Sequence, residues 1–446
     1  MQNKATTENE SFDYGAYSEN TNETCYTVFN LQRKLYYKAK QEPKFRFYSL
    51  YSHVYRADVI AEAYKRVHSN KGGAGVDGIK ISDIAKMEGG VSKYLEDLSR
   101  DLKEKTYRPQ PIKRVYIPKA NGKKRPLGIP TVRDRIAQTI VTIIIEPIFE
   151  SEFLNVSYGF RPKRGAHDAL KEIKGHLDKG YNEVYDADLS SYFDTIPRDK
   201  LMKCLERRIT DRNLLKLIRM FIDATVKDED GSLKKTDAGT PQGGVISPLL
   251  ANLYLHWLEK LFYGEQGPGT WAKAHLVRYA DDFVIIARYI DTRIENWVTA
   301  LLEGRMGLTI NKEKTSIRKL KATDTLNFLG YTFRRVPSKF GSGLFTVLTP
   351  SEKSVKSMRA KINDRLGALG GVLPVGELIG TTNQMLRGWC NYFSMGYNRK
   401  AYRDIMHHTR QRLKKTCLRK SQRQLRPPKG MSWYKYFHET HGLIKP

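Results

Sequence analysis

The chain has few cysteines and no long apolar run. Its 446 residues include four cysteines, Cys25, Cys204, Cys390 and Cys417, and none of them forms a CxxC pair. That spacing argues against a zinc site and a disulfide framework, and it fits a reducing compartment. The most apolar stretch, IVTIIIEPIF (140–149), contains a glutamate and a proline. Because a membrane-spanning helix needs about 18 apolar residues, we expect a core segment here and no membrane partner.

The amino terminus lacks the marks of a targeting signal. Residues 1–24 are polar and mildly acidic and contain one basic residue. This composition excludes a secretory signal and an arginine-rich transit peptide, and a disordered tail is predicted over residues 1–30. Together with the scattered cysteines, it favours a cytoplasmic protein.

Acidic residues are outnumbered by basic ones. The chain contains 77 Lys and Arg against 48 Asp and Glu, which gives a formal net charge of +29 and a pI of about 9.7. A positive field of this size favours a polyanionic partner, and nucleic acid is the usual one. The length leaves room for about two or three domains.

The order of patterns along the chain predicts an α+β body followed by helices. Two runs of strand-forming residues flank the turn KANGK (119–123), which predicts a β-hairpin. A strand with an acidic cluster (181–197) and a Gly/Pro loop that opens a helix (238–261) follow. Beyond residue 349 the patterns are helical, and residues 399–429 contain about a dozen Lys and Arg and one acidic residue. We therefore expect a catalytic α+β part and an all-helical basic appendix.

Two adjacent aspartates stand in the middle of an apolar hairpin pattern. The stretch AHLVRYADDFVIIA (274–287) places Asp281 and Asp282 between two runs with strand preference. Adjacent carboxylates repel each other and lose hydration when they are partly buried. A tight turn would accommodate them, because aspartate tolerates turn conformations. A divalent-metal site would also do so, because the cation offsets the repulsion.

Metal-dependent phosphoryl transfer offers a use for such carboxylates. It needs about three of them around two cations, one that activates a 3′-hydroxyl and one that holds the leaving pyrophosphate. The candidate strands offer five, namely Asp186, Asp188, Asp194, Asp281 and Asp282. Since side chains alternate along a strand, Asp186 and Asp188 share a face, and the residues alone do not choose between them.

Seven blocks, in this order, resemble those of the reverse transcriptases encoded by group II introns. They are IPKANGKKRPLGIP, SYGFRPKRGAHDAL, DADLSSYFDTI, GTPQGGVISPLLANLYL, RYADDFVI, GLTINKEKT and FLGYTF, and the similarity runs from about residue 31 to residue 393. The resemblance implies a right-hand polymerase, with fingers and a palm built on an antiparallel sheet, followed by an all-helical thumb or maturase domain. It implies RNA-directed DNA polymerase activity and assistance to splicing of the intron.

The resemblance also selects the metal ligands. In the family's pattern the first catalytic aspartate is followed by an aliphatic residue and, five positions on, by a bulky aromatic residue. Asp188 has Leu189 and Phe193 at those places, and Asp186 has no match. The implied metal site is Asp188, Asp281 and Asp282 with the Leu189 carbonyl. Two Mg²⁺ ions are expected there, with Mn²⁺ as a substitute.

Further residues match the family's substrate and template contacts. Lys119 and Arg125 match triphosphate contacts, and Gln242 matches a side chain that contacts the nucleotide. The Phe193 ring would lie under the sugar and exclude a 2′-hydroxyl, which favours deoxynucleotides. Arg161 and Arg164 match a template-contacting block that also contains His167, and Asn311 and Lys314 match a block close to the active site whose individual roles stay open.

The helical appendix resembles the maturase domain. Its expected RNA contacts include Lys414 and Lys415, with base stacking on interspersed aromatic residues (Tyr402, Trp433, Tyr434 and Tyr436). The expected partners are group II intron RNA, an RNA template with a DNA primer, target DNA and dNTP, in a bacterial cytoplasmic ribonucleoprotein. No paired cysteines accompany the C-terminal histidines, so DNA endonuclease activity is not expected.

The resemblance predicts five segments. They are a disordered tail (1–30), an N-terminal extension of the fingers (31–90), reverse transcriptase fingers and palm (91–348), a helical thumb or maturase domain (349–420) and a basic tail (421–446). Two alternative functions stay open. One is a stand-alone or CRISPR- or defence-associated reverse transcriptase, and the other is a splicing-only RNA-binding factor. The second could lose its catalytic carboxylates without penalty, yet all three are present.

Overall fold

The computed structural model describes residues 23–118, 124–235, 238–241, 243–321, 324–338, 343–420 and 425–445, with side chains from residue 27. The chain divides into two compact units. The first unit comprises residues 1–164, 187–283 and 291–315, and the second comprises residues 165–186, 284–290 and 316–446. The predicted turn residues 119–123 and Gln242 lie outside the described residues.

Helices make up most of the first unit. In chain order, the first five helices are α1 (Glu23–Gln41), α2 (Ala57–Ser69), α3 (Ile81–Ile84), α4 (Gly90–Glu104) and α5 (Val132–Glu150). The later ones are α7 (Tyr192–Thr195), α8 (Arg198–Glu206), α9 (Arg212–Ile222), α10 (Ser247–Phe262), α11 (Pro268–Trp271) and α12 (Thr292–Thr299), which continues into a π-helical segment, Ala300–Met306. A further helix, α6 (Ala166–Asp178), belongs to the second unit.

The core of the first unit is built around α5. Almost all of its apolar residues have no exposed surface, as expected for a helix that is hydrophobic all round. Its first turn is capped by the Thr131 hydroxyl, which accepts a hydrogen bond from the Asp134 nitrogen at 3.1 Å. Both α1 and α2 pack against it.

The helix α1 corrects the predicted extent of the amino-terminal tail. Residues 1–22 lie outside the described residues, but 23–30, which the sequence assigned to the tail, are helical. Val28, Leu31 and Leu35 are buried, and Gln32 Nε2 donates to the Ile143 carbonyl at 3.1 Å. The apolar positions of this helix are diluted by polar residues, so its buried face is apparent only once α5 is in place.

The strands form three sheets. The first has the order β2-β1-β4-β5, with β1 (Ile112–Pro118), β2 (Lys124–Ile129), β4 (Val226–Lys227) and β5 (Leu233–Lys234). β1 and β2 pair antiparallel, from Lys113 opposite Ile129 to Pro118 opposite Lys124, which confirms the predicted hairpin.

The sheet that carries the paired aspartates has the order β6-β7-β3-β8. Its strands are β3 (Glu183–Ala187), β6 (His275–Tyr279), β7 (Asp282–Ala287) and β8 (Ser316–Lys319). The residues from Phe283 to Ala287 have no exposed surface, which fits a continuous apolar run rather than an alternating one. β3 and β8 pair antiparallel, with Asp186 opposite Ser316.

The second unit ends in a helical cluster. The third of the three sheets lies in this unit and is an antiparallel meander, β11-β10-β9. Its strands are β9 (Thr325–Phe328), β10 (Tyr331–Pro337) and β11 (Leu344–Pro350). The helices α13 (Glu352–Leu369), α14 (Val375–Tyr392) and α15 (Arg399–Arg419) follow, then α16 (Trp433–Lys435) and a π-helical segment, Tyr436–Thr440. The mixed helix and sheet followed by a helical C-terminal region confirms the predicted fold class.

The predicted basic tail contributes to the same core. Tyr436, Phe437 and Leu443 belong to one buried cluster with residues of α13, α14 and α15, such as Ile362 and Leu413. Trp433 packs against this cluster as well. None of the helices in the described part of the chain combines the length and apolar character needed to span a bilayer.

Candidate active site

Asp188 follows β3 directly and is held by a loop from later in the chain. Leu189 forms an isolated antiparallel bridge with Ile310, and the Asn311 nitrogen donates to the Asp188 carbonyl at 2.8 Å. Lys314 Nζ lies 2.7 Å from Asp188 Oδ2, and Asn311 Nδ2 donates to the same oxygen at 3.2 Å. The block 307–315, whose roles the sequence left open, therefore supplies the polar partners of the first predicted metal ligand.

Asp281 lies in the turn between β6 and β7, and Asp282 begins β7. The preceding residue, Ala280, has φ +58, a left-handed conformation that costs a non-glycine residue about 1–2 kcal/mol. Asp282 is exposed, whereas Asp281 is partly buried. The turn expected from the paired aspartates is therefore present, and it is strained immediately before Asp281.

Asp188 directly follows β3 and Asp281 directly precedes β7, and these two strands are neighbours in the sheet. Burial raises the pKa of Asp281, and the negative charge of Asp188 raises it further. Arg125 on β2 and Arg278 on β6 oppose this shift through their positive charges. Two carboxylates that repel each other, one of them desolvated, form a site that a bound cation would stabilise.

The described residues do not form a finished metal site. Among them, no group of three or more carboxylate, imidazole or thiol side chains is gathered closely enough to hold an ion. Asp188 is instead paired with Lys314, whose side chain is 64 % exposed. The oxygen donors still suit a hard divalent cation, because such ions use few protein carboxylates and complete their shell with water and phosphate oxygens.

Phe193 is fixed by the loop that contains GTPQGG. Its carbonyl accepts a hydrogen bond from the Thr240 nitrogen at 2.7 Å. Gly239 has φ +85, and a Cβ there would lie 2.6 Å from that same carbonyl oxygen, so only glycine fits. The Phe193 ring itself is 8 % exposed.

The same loop packs against β2. A Cβ on Gly243 would lie 2.1 Å from the Gly128 carbonyl oxygen, and the Val245 nitrogen donates to Gln138 Oε1 at 2.7 Å. Arg125 lies on β2 and is exposed. The structure thus gathers Phe193, the loop and Arg125 in the first unit, while Lys119 and Gln242 lie outside the described residues.

The Arg161 side chain, for which the resemblance implies a template contact, is buried. It is 2 % exposed, and its guanidinium pairs with Glu150 at 2.7 Å. It also donates to the Leu154 and Ser157 carbonyls at 2.5 and 2.8 Å. In this structure the donors of the guanidinium are therefore used within the protein. The arginine instead neutralises a buried glutamate and ties down the segment that leads to Gly159.

Arg164 is partly exposed and keeps the accessibility that a template contact requires. Its guanidinium donates to the Asn155 carbonyl at 3.1 Å, in a hydrogen bond that is exposed to solvent. The Tyr158 ring lies beneath it at 5.7 Å. These contacts leave part of the side chain open to solvent.

On α15, Lys414 and Lys415 lie on the exposed face, opposite the buried Leu413 and Cys417. The aromatic residues expected to stack on bases are mostly used inside the protein. Tyr436 is 9 % exposed, and the Tyr402 hydroxyl donates to the Cys390 carbonyl at 2.8 Å. Only Tyr434, at 45 % exposure, keeps a largely accessible ring among these four.

Comparison with known proteins adds an independent finding. Residues 117–333 match the profile of the reverse transcriptase (RNA-dependent DNA polymerase) family, and residues 355–437 match that of the group II intron, maturase-specific domain. The chain is similar to protein YkfC of Escherichia coli strain K12, with 35% identity over 364 residues that cover 73% of this chain and 93% of that protein.

Two further relatives extend the similarity. The group II intron-encoded protein LtrA of Lactococcus lactis subsp. cremoris is 30% identical over 437 residues, covering 79% of this chain and 71% of LtrA. An uncharacterized 91 kDa protein in the cob intron of Schizosaccharomyces pombe is 30% identical over 414 residues, covering 77% of this chain and 50% of that protein.

The fold and the two matched profiles define a reverse transcriptase with a maturase domain. The chain belongs to the reverse transcriptases encoded by group II introns. It is an RNA-directed DNA polymerase that assists group II intron splicing, as the sequence predicted, and members of this family use divalent metal ions.

The sequence does not single out one part of the site, the buried pair under the Asp281 turn. Arg278, in the block RYADDFVI, is 1 % exposed and pairs with Glu259, which is 0 % exposed. The available signal was an arginine inside a run of apolar strand residues, LVRYA, where a charge can be buried only with a partner. Sequence alone did not name that partner, because Glu259 lies on α10.

Proposed function

We propose that the chain extends a DNA primer on group II intron RNA, using Asp188, Asp281 and Asp282 with the Leu189 carbonyl to hold two Mg²⁺ ions. The placement of Asp188 and Asp281 carries this proposal, because they flank the neighbouring strands β3 and β7 although they are about ninety positions apart in the sequence. The raised pKa of Asp281 under the charge of Asp188 agrees with this placement. When bound, such ions would lower the pKa of the primer 3′-hydroxyl and neutralise the charge of the departing pyrophosphate. Mn²⁺ has similar oxygen preferences and is the proposed substitute.

The protein's own residues prepare this site. Because the pKa of Asp281 is raised by burial and by Asp188, protons compete with a cation for this carboxylate, and metal affinity should fall as the pH is lowered. Lys314 neutralises Asp188 before a cation arrives, and its exposed side chain is free to rotate away.

We assign nucleotide binding to Arg125, Lys119, Gln242 and Phe193. Arg125 supports this assignment because its charge acts on Asp281, so a triphosphate bound to its guanidinium would lie beside the metal ligands. Phe193 is supported by the fixed backbone around it, since a ring can exclude a 2′-hydroxyl only if it cannot retreat. Lys119 and Gln242 rest on the family resemblance.

Primer extension on an RNA template with Mg²⁺ tests the enzymatic assignment. The wild type should extend the primer, and Asp281→Ala should lose activity by a factor of about 100 or more. Equal extension by both proteins would reject the assignment. Phe193→Val should raise ribonucleotide use relative to deoxynucleotide use without abolishing extension.

We further propose that Lys414 and Lys415 contact intron RNA and that Arg164 contacts the template. We also propose that the protein and its RNA form a cytoplasmic ribonucleoprotein that binds target DNA. The two lysines are supported by their exposure on α15. Splicing of the cognate intron at low Mg²⁺ should persist in Asp281→Ala and weaken when both lysines become alanine. Lys86→Ala with Lys103→Ala, exposed lysines of the first unit, removes the same charge and should have less effect. Equal effects of the two pairs would refute the specific contact.

A further inference from the structure

A buried charged network lies under the turn that carries Asp281. Arg278 Nε donates to Glu259 Oε1 at 2.6 Å, and its Nη1 donates to Asn252 Oδ1 at 2.8 Å. The same Nη1 donates to the Ala280 carbonyl at 2.8 Å. Arg278 and Asn252 are each 1 % exposed and Glu259 is 0 % exposed. A buried ion pair is a poor way to gain stability, so the position of Arg278, two residues before the strained Ala280, calls for another role.

Asn252 connects this network to a second segment that touches the turn. Its Nδ2 donates to the Gly159 carbonyl at 2.8 Å. A Cβ on Gly159 would lie 2.4 Å from the Ala280 nitrogen, so the two backbones are in close contact. The Tyr158 nitrogen also donates to the Arg278 carbonyl at 2.9 Å. The Ala280 peptide is thus confined from both sides by groups that Asn252 and Arg278 hold.

The confined residue is in a conformation that it would not keep unaided. Ala280 has φ +58, in the left-handed region that favours glycine. Such a backbone persists only when surrounding contacts over-determine it. The residue that follows is Asp281, so any relaxation of Ala280 turns that carboxylate away from Asp188.

We propose that Arg278 is a positioning residue for metal binding. It holds the Ala280 carbonyl, and Glu259 and Asn252 on α10 hold its guanidinium in the required orientation. This inference rests on the proposed function, because it concerns how Asp281 is presented to a cation. A planar guanidinium can serve the carboxylate, the amide and the carbonyl at once, and the single ammonium of lysine cannot reproduce that fork.

Arg208 offers a matched control. It is 4 % exposed in its side chain, pairs with Glu152 and donates to the Pro43 and Ala39 carbonyls at 2.9 and 3.0 Å. It therefore resembles Arg278 in burial and in its partners, and none of its contacts with the described residues involves the Asp281 turn. Replacing either arginine by lysine should lower the melting temperature. Only the change at Arg278 should alter the metal site.

Two measurements on the full chain separate these effects. Mn²⁺ binding, followed by electron paramagnetic resonance without nucleic acid, should weaken about 10-fold or more in Arg278→Lys and stay within about 3-fold of wild type in Arg208→Lys. The rate of single-nucleotide addition should fall about 10- to 100-fold only in Arg278→Lys, with little change in the dNTP concentration for half-maximal rate. Equal Mn²⁺ affinity and equal rates in the two variants would overturn the proposal.

Milder variants decide the matter if Arg278→Lys fails to fold. Asn252→Ala and Glu259→Gln should each weaken Mn²⁺ binding and slow addition, and their combined effect should be smaller than the product of the two, because both act through Arg278. Wild-type behaviour of both variants would overturn the inference. A wild type that binds no Mn²⁺ and extends no primer would instead remove the proposed function, and this inference with it.

Discussion

Gly159→Ala would test how tightly the turn with Asp281 is positioned. An alanine Cβ at this position would lie 2.4 Å from the Ala280 nitrogen, 3.0 Å from the Tyr279 carbonyl carbon and 3.2 Å from the Ala280 Cα. All three are backbone atoms, so no side-chain rotation can relieve the clash. Ordinary contacts of a Cβ begin at 3.4 Å, and the turn or Gly159 must therefore move by about 1 Å.

The displacement should fall on the turn. The Gly159 carbonyl is held by Asn252 at 2.8 Å, whereas Asp281 follows a residue that is already strained. A shift of about 1 Å in a reacting group can cost about 100-fold in rate. Overpacking of this kind costs about 1–3 kcal/mol of unfolding free energy, which would leave a folded protein with a lower melting temperature. We therefore expect Gly159→Ala to be folded and about 100-fold slower.

Rapid-quench measurement of single-nucleotide addition on a preformed RNA–DNA duplex is the appropriate assay. Gly304→Ala, in the same unit, is the control, because a Cβ at that position would meet no atom of the described residues within 4 Å. The control should keep the wild-type rate. If Gly159→Ala stays within about twofold of wild type, the turn is not held as described.

Three further outcomes follow from the same contacts. Lys314→Ala should raise the Mn²⁺ affinity of the free protein several-fold, because the Lys314 ammonium pairs with the Asp188 carboxylate at 2.7 Å. Lys312→Ala is the charge-matched control, and identical Mn²⁺ affinities of the two variants would refute competition between Lys314 and the cation. Without divalent ions at pH 7, Asp281→Asn should raise the free energy of unfolding by about 1 kcal/mol, and the melting temperature should rise with it. Its raised pKa means that the folded state binds this proton better than the unfolded chain, so stability is lost as the pH rises above the unfolded pKa, and an unchanged melting temperature would contradict this. Arg161→Ala should cost about 3–5 kcal/mol of stability by leaving Glu150 unpaired, and a stable variant with weaker template binding would instead restore the sequence-based interpretation.

Local patterns in the sequence were sufficient for the α+β fold class and for a set of five candidate carboxylates, and the family resemblance then selected three of them. The β1–β2 hairpin, the strand before Asp188 and the hairpin around Asp281 are set by alternation, apolar runs and turn residues within about fifteen positions. These signals survive in the linear sequence because each element forms from its neighbours along the chain. The chemistry of carboxylates and the basic charge are likewise properties of composition.

The fates of individual charged residues depended on tertiary structure. Arg161 and Arg278 are both arginines in blocks of the family, yet one neutralises Glu150 and the other lies under the turn of Asp281 with Glu259. Lys314 reaches Asp188 from 126 positions away. Whether a charge faces solvent, nucleic acid or a buried partner depends on the desolvation that the whole fold imposes and on which opposite charge it brings within hydrogen-bond distance. No local pattern encodes that pairing, and for this reason the sequence could name the carboxylates but not what holds them.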